Sequence, residues 1–387
     1  MKWVVTILVV LLLTFTAAAQ ELSIFGYFES QLTMAALQDN MAQLHSNKLR
    51  VDLKTDFSRL VTFTGNYNII TYHGTTHWDF LEFLPDSMVY NIPLQNYDNY
   101  IIDYTDRYFL DNAFARISSR YADITVGKQQ ISLGTGYAWN PTDLFNTKDI
   151  LDPTYEQPGH NALKVDIPFA QRIMFSTIYE PEDTWDLSGK LVRLKVGISR
   201  FDLLAIALER QWTYTDFRTF AAQDIKRRMY GGDIVGEFLG LGVWGEYAYN
   251  DLENGDDFDE MIFGADYTFY SGTHALCEYY RNTQGESSKD DYNLNTVMRW
   301  LMGETRSVSQ DQLFLYVNHP ATDLLQAGGS LIACLNDGSV VVVPTVIYSM
   351  FENLDLTLFG NIYMGEEGTN YSSELGSGGI VRMRLYF

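Results

Sequence analysis

The chain is short of cysteine, proline, basic charge and long apolar runs. Only 2 of its 387 residues are cysteines and 9 are prolines. Two thiols, Cys277 and Cys334, without zinc or redox spacing exclude a disulfide-stapled scaffold and a zinc module. We expect both to pack as small apolar side chains on strands that are not neighbours. Lys and Arg number 27 against 49 Asp and Glu, a formal net charge of -22, which excludes nucleic acid as a partner. No segment reaches the ~20 consecutive apolar residues that a membrane-spanning helix requires. The 6 histidines, His45, His73, His77, His160, His274 and His319, fall in no nucleophile or zinc motif. His73 and His77 have helical spacing, but Gly74-Thr75-Thr76 between them disfavours the helix that would align them on a metal. Ser271, His274 and Asn282 are residue types too common to define a hydrolase. No catalytic residue, metal or cofactor is expected.

What the chain does have is 26 Tyr, 23 Phe and 29 Gly, with a mean hydropathy of -0.13. That composition suits short twisted strands, aromatic belts and tight turns better than helices. The low mean hydropathy excludes a helical membrane protein, whereas a barrel hides its apolar face from such averages because alternate residues point inward. At the amino terminus Lys2, the apolar residues 3–15 and Ala17-Ala18-Ala19 have the layout of a secretory signal peptide. Residues 1–19 are therefore expected to be removed, leaving 20–387 as one domain. No Cys near the cleavage site suggests a lipid anchor. At the other end Val381, Met383, Leu385 and Phe387 share one face of a strand, while Arg382, Arg384 and Tyr386 share the other.

The same two-faced pattern recurs along the chain. Leu49, Val51, Leu53, Thr55 and Phe57 alternate with Lys48, Arg50, Asp52, Lys54 and Asp56, and so many charges on an inner face need water. Met261, Phe263, Ala265, Tyr267 and Phe269 alternate with Ile262, Gly264, Asp266 and Thr268. Candidate strands run from 22–36, 47–57 and 59–72 through to 378–387. Short connections at Ser58, Ser119-Arg120, Pro168-Phe169-Ala170, Arg200, Leu239-Gly240, Tyr270-Ser271-Gly272, His319-Pro320-Ala321 and Phe351-Glu352-Asn353 alternate with longer, polar ones. The expected fold is all-β: a transmembrane antiparallel up-and-down β-barrel of about 18 strands, with 16 as the alternative. The chain is too short for the ~22 strands of a plugged transporter.

The third long connection, residues 129–160, is where function is expected, since loops of that length are usually functional. It contains Gly134, Gly136, Pro141, Pro153, Pro158 and Gly159 as turn formers among aromatics. Its words are Gly127-Lys128-Gln129, then Gly134-Thr135-Gly136, then Asn140-Pro141-Thr142-Asp143 and Asn146. This order is similar to a G-R/K-Q, W-G-x-G, N-P-T-D, N stretch of porin-like outer-membrane barrels of Gram-negative bacteria, with Leu133 standing where that stretch has Trp. The terminal Phe387 resembles the carboxyl-terminal signal that such barrels present to the barrel-assembly machinery. The resemblance implies a porin-like passage whose third outer loop folds inward, and names no solute. Read from its residues alone, the segment is either that constriction or an external cap in which Asn140 and Asp143 only form turns.

Closing the barrel puts Arg382 and Arg384 beside Glu29 and near Lys48, Arg50 and Lys54, a basic inner wall with Arg384 and Lys54 at similar depth. Arg193 and Lys195 form a second basic pair. Asp143, Asp149, Asp152 and Glu156 of the loop are expected to face the basic wall across a narrow aqueous gap. The other outer loops are acidic, from Glu180 to Asp186, Asp251 to Asp259 and Glu366 to Glu374. They lack EF-hand spacing and read as solvated faces. The expected function is passive passage of small hydrophilic solutes through an outer-membrane channel in contact with lipid and lipopolysaccharide. The alternative is a closed barrel whose acidic loops bind a surface partner or polysaccharide.

Overall fold

The computed structural model describes residues 21–37, 40–84, 86–90, 92–152 and 156–387. The expected signal peptide and Pro153 of the loop lie outside the described residues. Among the described residues there are twenty strands: β1 (Glu21–Leu37), β2 (Asn40–Asp56), β3 (Val61–Gly74), β4 (His77–Asp79), β5 (Ile101–Asp103), β6 (Arg107–Ser118) and β7 (Asp123–Gln130). There follow β8 (Gly159–Ala170), β9 (Ile173–Glu180), β10 (Gly189–Ile198), β11 (Phe201–Asp216), β12 (Ala221–Phe238) and β13 (Leu241–Leu252). The last are β14 (Phe258–Thr268), β15 (His274–Asn282), β16 (Asp311–Pro320), β17 (Leu325–Cys334), β18 (Val340–Phe351), β19 (Leu354–Tyr363) and β20 (Gly378–Tyr386).

All except β4 and β5, which pair with each other, belong to one 18-stranded antiparallel sheet. Each strand pairs with its neighbours in sequence and β1 pairs with β20, so the sheet closes into a barrel without edges. Phe387 completes the seam: its N–H donates to Gly26 O at 3.1 Å, and Gly26 N–H returns a bond to Phe387 O at 3.0 Å. The expected all-β up-and-down barrel of 18 strands is the one formed. Its cause is the period-two pattern. On β14 Ile262 is fully buried toward the inside and Phe263 is 60% exposed on the outside.

At one end the turns are tight. Leu239 and Gly240 both have positive φ, 54° and 83°, which matches the strand twist of a two-residue hairpin. Two expectations need correction. The first outer connection is not ten residues long, because β1 and β2 continue their ladder out to Leu37 and Asn40. Pro168 to Ala170 is not a turn but the bulged end of β8, since Pro168 reaches a sheet through a bulge that tolerates its missing N–H. Cys277 is exposed on β15 and Cys334 buried on β17, two free thiols separated by β16.

The long connections lie at the opposite end, and three of them pack on one another. Leu81, Leu84, Ile92 and Tyr100 from the β3–β6 connection meet Phe217 from the β11–β12 connection and Leu294 and Met298 from the helix Leu294–Leu301. Tyr100 Oη donates to Phe217 O at 2.5 Å, and Phe217 N–H donates to Asn295 Oδ1 at 2.7 Å. The helix starts on Asn293, which caps it reciprocally with Thr296. These strands stand on different sides of the barrel, so the cluster bridges its mouth.

Candidate functional site

The β7–β8 connection runs inside the barrel, and the wall residues that hold it show this. On β13, Glu246, Ala248 and Asn250 are buried toward the lumen while Tyr247 and Tyr249 face out. Glu246 accepts from the N–H groups of Thr135 and Gly136, the latter at 2.7 Å, through Oε1. Its Oε2 accepts from the Thr142 N–H at 3.2 Å and from Thr142 Oγ1 at 2.9 Å. Two strands on, Glu278 of β15 accepts from the N–H groups of Tyr137, Ala138 and Trp139 at 2.6, 2.9 and 2.9 Å. Two wall carboxylates are thus wrapped in loop amides, a concave arrangement that suits an anion.

This cradle explains the glycines of the motif. Gly134 sits at φ 79°, and a Cβ there would lie 2.6 Å from Glu246 Oε1. A Cβ on Gly136 would lie 1.8 Å from the Trp139 carbonyl oxygen. Asn140 Nδ2 donates to Leu133 O at 2.9 Å, Asn146 Nδ2 to Ile131 O at 2.5 Å, and Gln129 Nε2 to Ala162 O at 3.0 Å. Gly127, at φ 120°, lets β7 approach Ala113 O of β6. Pro141 sits buried between Asn140 and Thr142 at the turn that meets Glu246.

Asp143 is where the sequence reading needs its main correction. It does not face the basic wall across water: it is 1% exposed and accepts from the N–H groups of Leu133, Phe145 and Asn146 and from Asn146 Nδ2. Burial raises its pKa against those bonds. Asp149 likewise accepts from the N–H groups of Leu151 and Asp152, while its side chain stays exposed to the lumen. A short polar side chain bonding backbone two and three residues ahead is a turn former.

Asp152 and Glu156 do reach the basic wall, but in direct contact and with no intervening gap. Asp152 accepts from Arg382 Nη2 of β20 at 3.0 Å. Glu156 accepts from Lys48 Nζ at 2.9 Å and Arg50 Nη1 at 3.3 Å, both on β2, and pairs with Arg384 Nη2 at 3.3 Å. Tyr27 Oη of β1 donates to it at 2.8 Å, and Glu29 pairs with Arg384 at 2.6 Å. Burial pushes the Glu156 carboxyl up, but Lys48, Tyr27 and Arg384 outweigh it and hold it below its ordinary value of 4.5.

Lys54 stands apart from this cluster. The ladder aligns Arg384 with Glu29 and Glu29 with Lys48, whereas Lys54 lies opposite Ser23 farther along β2, so it does not share the depth of Arg384. Arg193 and Lys195 are on β10, away from that wall, and Lys195 pairs with Asp202 at 2.8 Å.

Because β2 and β13 stand on opposite sides of the barrel, a loop bound to both crosses the lumen. The side left open is a cavity of about 750 Å3 between the loop and the wall from β13 to β18. Tyr137, Lys148 and Asp149 of the loop line it, facing Trp244, His274 and Tyr316 of the wall. His274 Nε2 is 2.8 Å from Asp266 Oδ2. Lys148 Nζ donates to the carbonyls of Gly136 and Tyr137 at 2.5 and 3.0 Å, and burial lowers its pKa.

Sequence reasoning missed Glu246, Glu278 and also Arg306, which pairs with the buried Glu260 at 2.9 Å and donates to Asp143 O. The one usable signal was a carboxylate on the inner face of a strand next to outward tyrosines, as at Glu246.

No protein-family model and no curated protein matches the chain in sequence. Solved structures match in shape. OccAB1 of Acinetobacter baumannii is 10% identical with a TM-score of 0.61, over 96% of this chain and 97% of that one. OccAB4 of the same organism is 8% identical with a TM-score of 0.59, over 95% and 98%. OmpT, an outer membrane protein of Vibrio cholerae, is 12% identical with a TM-score of 0.47, over 95% and 99%, too distant in shape to argue from. At such identities the likeness extends to the fold alone, a closed antiparallel β-barrel of 18 strands.

Proposed function

We propose that this chain is a bacterial outer-membrane channel for passive passage of small hydrophilic solutes, with the β7–β8 loop setting its narrowest section. The observation that carries the reading is the double attachment of that loop, to β13 and β15 on one side and to β20, β1 and β2 on the other, beside an open cavity lined by polar and apolar side chains together. A loop fixed at both edges gives a passage of defined cross-section. The charges of the basic wall are largely spent on Glu29, Asp152 and Glu156, so the field in the passage comes from Lys148, Asp149 and the Asp266–His274 pair. The reading includes export by the amino-terminal signal peptide and insertion by the barrel-assembly machinery through Phe387. No catalytic step or cofactor belongs to it. Purified protein in planar bilayers should give discrete conductance steps; their persistent absence with folded protein would refute the channel.

One observation favours a second reading. The apolar cluster of Leu81, Tyr100, Phe217 and Met298 draws loops from different sides over the mouth. A barrel closed by that lid would serve as a binding scaffold, and conductance that appears only when the lid is shortened would establish it.

A further inference from the structure

The cavity beside the inward loop presents its charges unevenly. Asp152 and Glu156 of the charged edge line it, whereas among the described residues their partners Lys48, Arg50, Arg382 and Arg384 do not. Lys148 lines it too, but an ammonium has three donors and all are taken, by Gly136 O at 2.5 Å, Tyr137 O at 3.0 Å and Asn140 Oδ1 at 3.3 Å. Its charge is met by Glu278, Glu246 and Asp143 around it. His274, the remaining basic side chain among the described residues of the lining, is held through Nε2 by Asp266 Oδ2 at 2.8 Å.

A carboxylated solute therefore meets no uncommitted cation there, whereas negative charge is left over. Asp149 is exposed, accepts the Leu151 and Asp152 N–H groups through Oδ1 alone, and joins no ion pair among the described residues. Asp266 of β14 lines the same cavity from the wall. Aromatic surface completes the lining. Gly264 lies opposite Trp244 in the ladder, and a Cβ there would come within 2.2 Å of the indole, so the ring lies along the wall with a face toward the cavity. Its N–H is already given to Glu278 Oε2 at 2.6 Å. Tyr137, 44% exposed, stands 5.3 Å from Tyr316 between ring centroids, and both border the same space. Carboxylates beside aromatic rings match an ammonium group, which gains from both at once.

We propose that the passage takes solutes carrying an ammonium group and passes their carboxylated counterparts poorly. Asp149 and Asp266 draw the cation into the narrow section, where low-dielectric walls focus their field. Trp244 meets it through the ring face, and the hydroxyl-bearing Ser330 and Thr345 of the lining serve the uncharged part of the solute. This proposal rests on the reading of the chain as an open channel.

The test is flux through the whole barrel reconstituted in liposomes, with three probes of one ring size at neutral pH: glucosamine, glucose and glucuronate. Glucosamine should exceed glucuronate by at least about tenfold, with glucose between them. The Asp149→Asn/Asp266→Asn variant should bring that ratio to within about twofold. Asp149→Asn alone, in the loop and outside every ladder, should lower it about threefold and keeps the test decisive if the double variant fails to assemble. Trp244→Leu should raise the glucosamine concentration for half-maximal flux about threefold. Equal flux of the three probes, faster glucuronate, or a ratio unchanged in folded carboxylate variants overturns the proposal. Glucose flux without preference by charge refutes the ammonium assignment alone; no flux of any probe through folded protein refutes the passage on which it rests.

Discussion

The two edges of the inward loop are held by opposite chemistries. At β13 and β15 the wall supplies carboxylates and the loop supplies backbone amides, so attachment depends on backbone shape and on two glycines. At β20, β1 and β2 the wall supplies cations and the loop supplies side-chain carboxylates, so attachment depends on charge. The first edge is buried and little affected by salt, whereas the second borders water and is screened by it. One edge fixes where the loop lies, and the other can respond to conditions.

The largest effect should follow loss of the amide cradle. Replacing Glu246 and Glu278 by Ala leaves the amides of residues 135–139 and 142 without acceptors, at roughly 3 kcal/mol or more for each carboxylate. The barrel should still assemble, because no ladder bond is removed. Single-channel conductance should rise, and trypsin should cut after Lys148, whose amine the folded loop engages. A folded variant with resistant Lys148 and unchanged conductance would show that the cradle is dispensable.

Next in size is Gly136→Val. Its Cβ would meet the Trp139 carbonyl at 1.8 Å, so the turn must open. The same rise in conductance is expected, smaller than in the double variant because both carboxylates remain. If Gly136→Val conducts like the parent, the glycine is not there for close approach.

The legibility of the fold and of this site differ for a physical reason. Strand alternation repeats along the whole chain, and the alternation of tight turns with long loops adds a second regularity, so the barrel and its strand number were readable. The basic wall was readable as well, since Arg382, Arg384, Lys48 and Arg50 follow from face parity and closure. Which loop carboxylate meets that wall was not. Asp143, Asp149, Asp152 and Glu156 are alike in sequence, and only the tertiary path turns two toward their own backbone and two toward arginine and lysine. Lys54 was misplaced because strand register, unlike parity, requires knowing the ladder. The helix Leu294–Leu301 was passed over because eight residues give barely two periods, although the Asn293 and Thr296 caps signalled its start.

A smaller effect is expected at the charged edge. Asp152→Asn with Glu156→Gln removes two loop carboxylates, leaving Lys48 without its carboxylate partner and Arg50, Arg382 and Arg384 with only Asp52 and Glu29, so reversal potentials under a salt gradient should move toward anion selectivity. Glu156 is 31% exposed, so the stability cost should be only about 1 kcal/mol after screening. A shift toward cations would contradict the assignment of this wall.

The smallest effect is that of pH. The folded-state pKa of Glu156 is depressed below 4.5, so its contribution is fully present above that value and is lost as pH falls through the lower folded value. Acidification into that range should therefore mimic Glu156→Gln, with the selectivity shift absent at neutral pH and absent in the variant at any pH. A parent channel that switches equally with and without Glu156 would locate the titrating group elsewhere.

The most direct measurement is the single-channel conductance of a barrel whose β7–β8 loop is cut short between Gly136 and Pro158, compared with the parent in the same bilayer and salt. A loop that crosses the lumen predicts discrete steps of clearly larger amplitude in the shortened protein, with heat-modifiable migration retained. Equal step amplitudes in two folded proteins would mean that the loop does not set the passage.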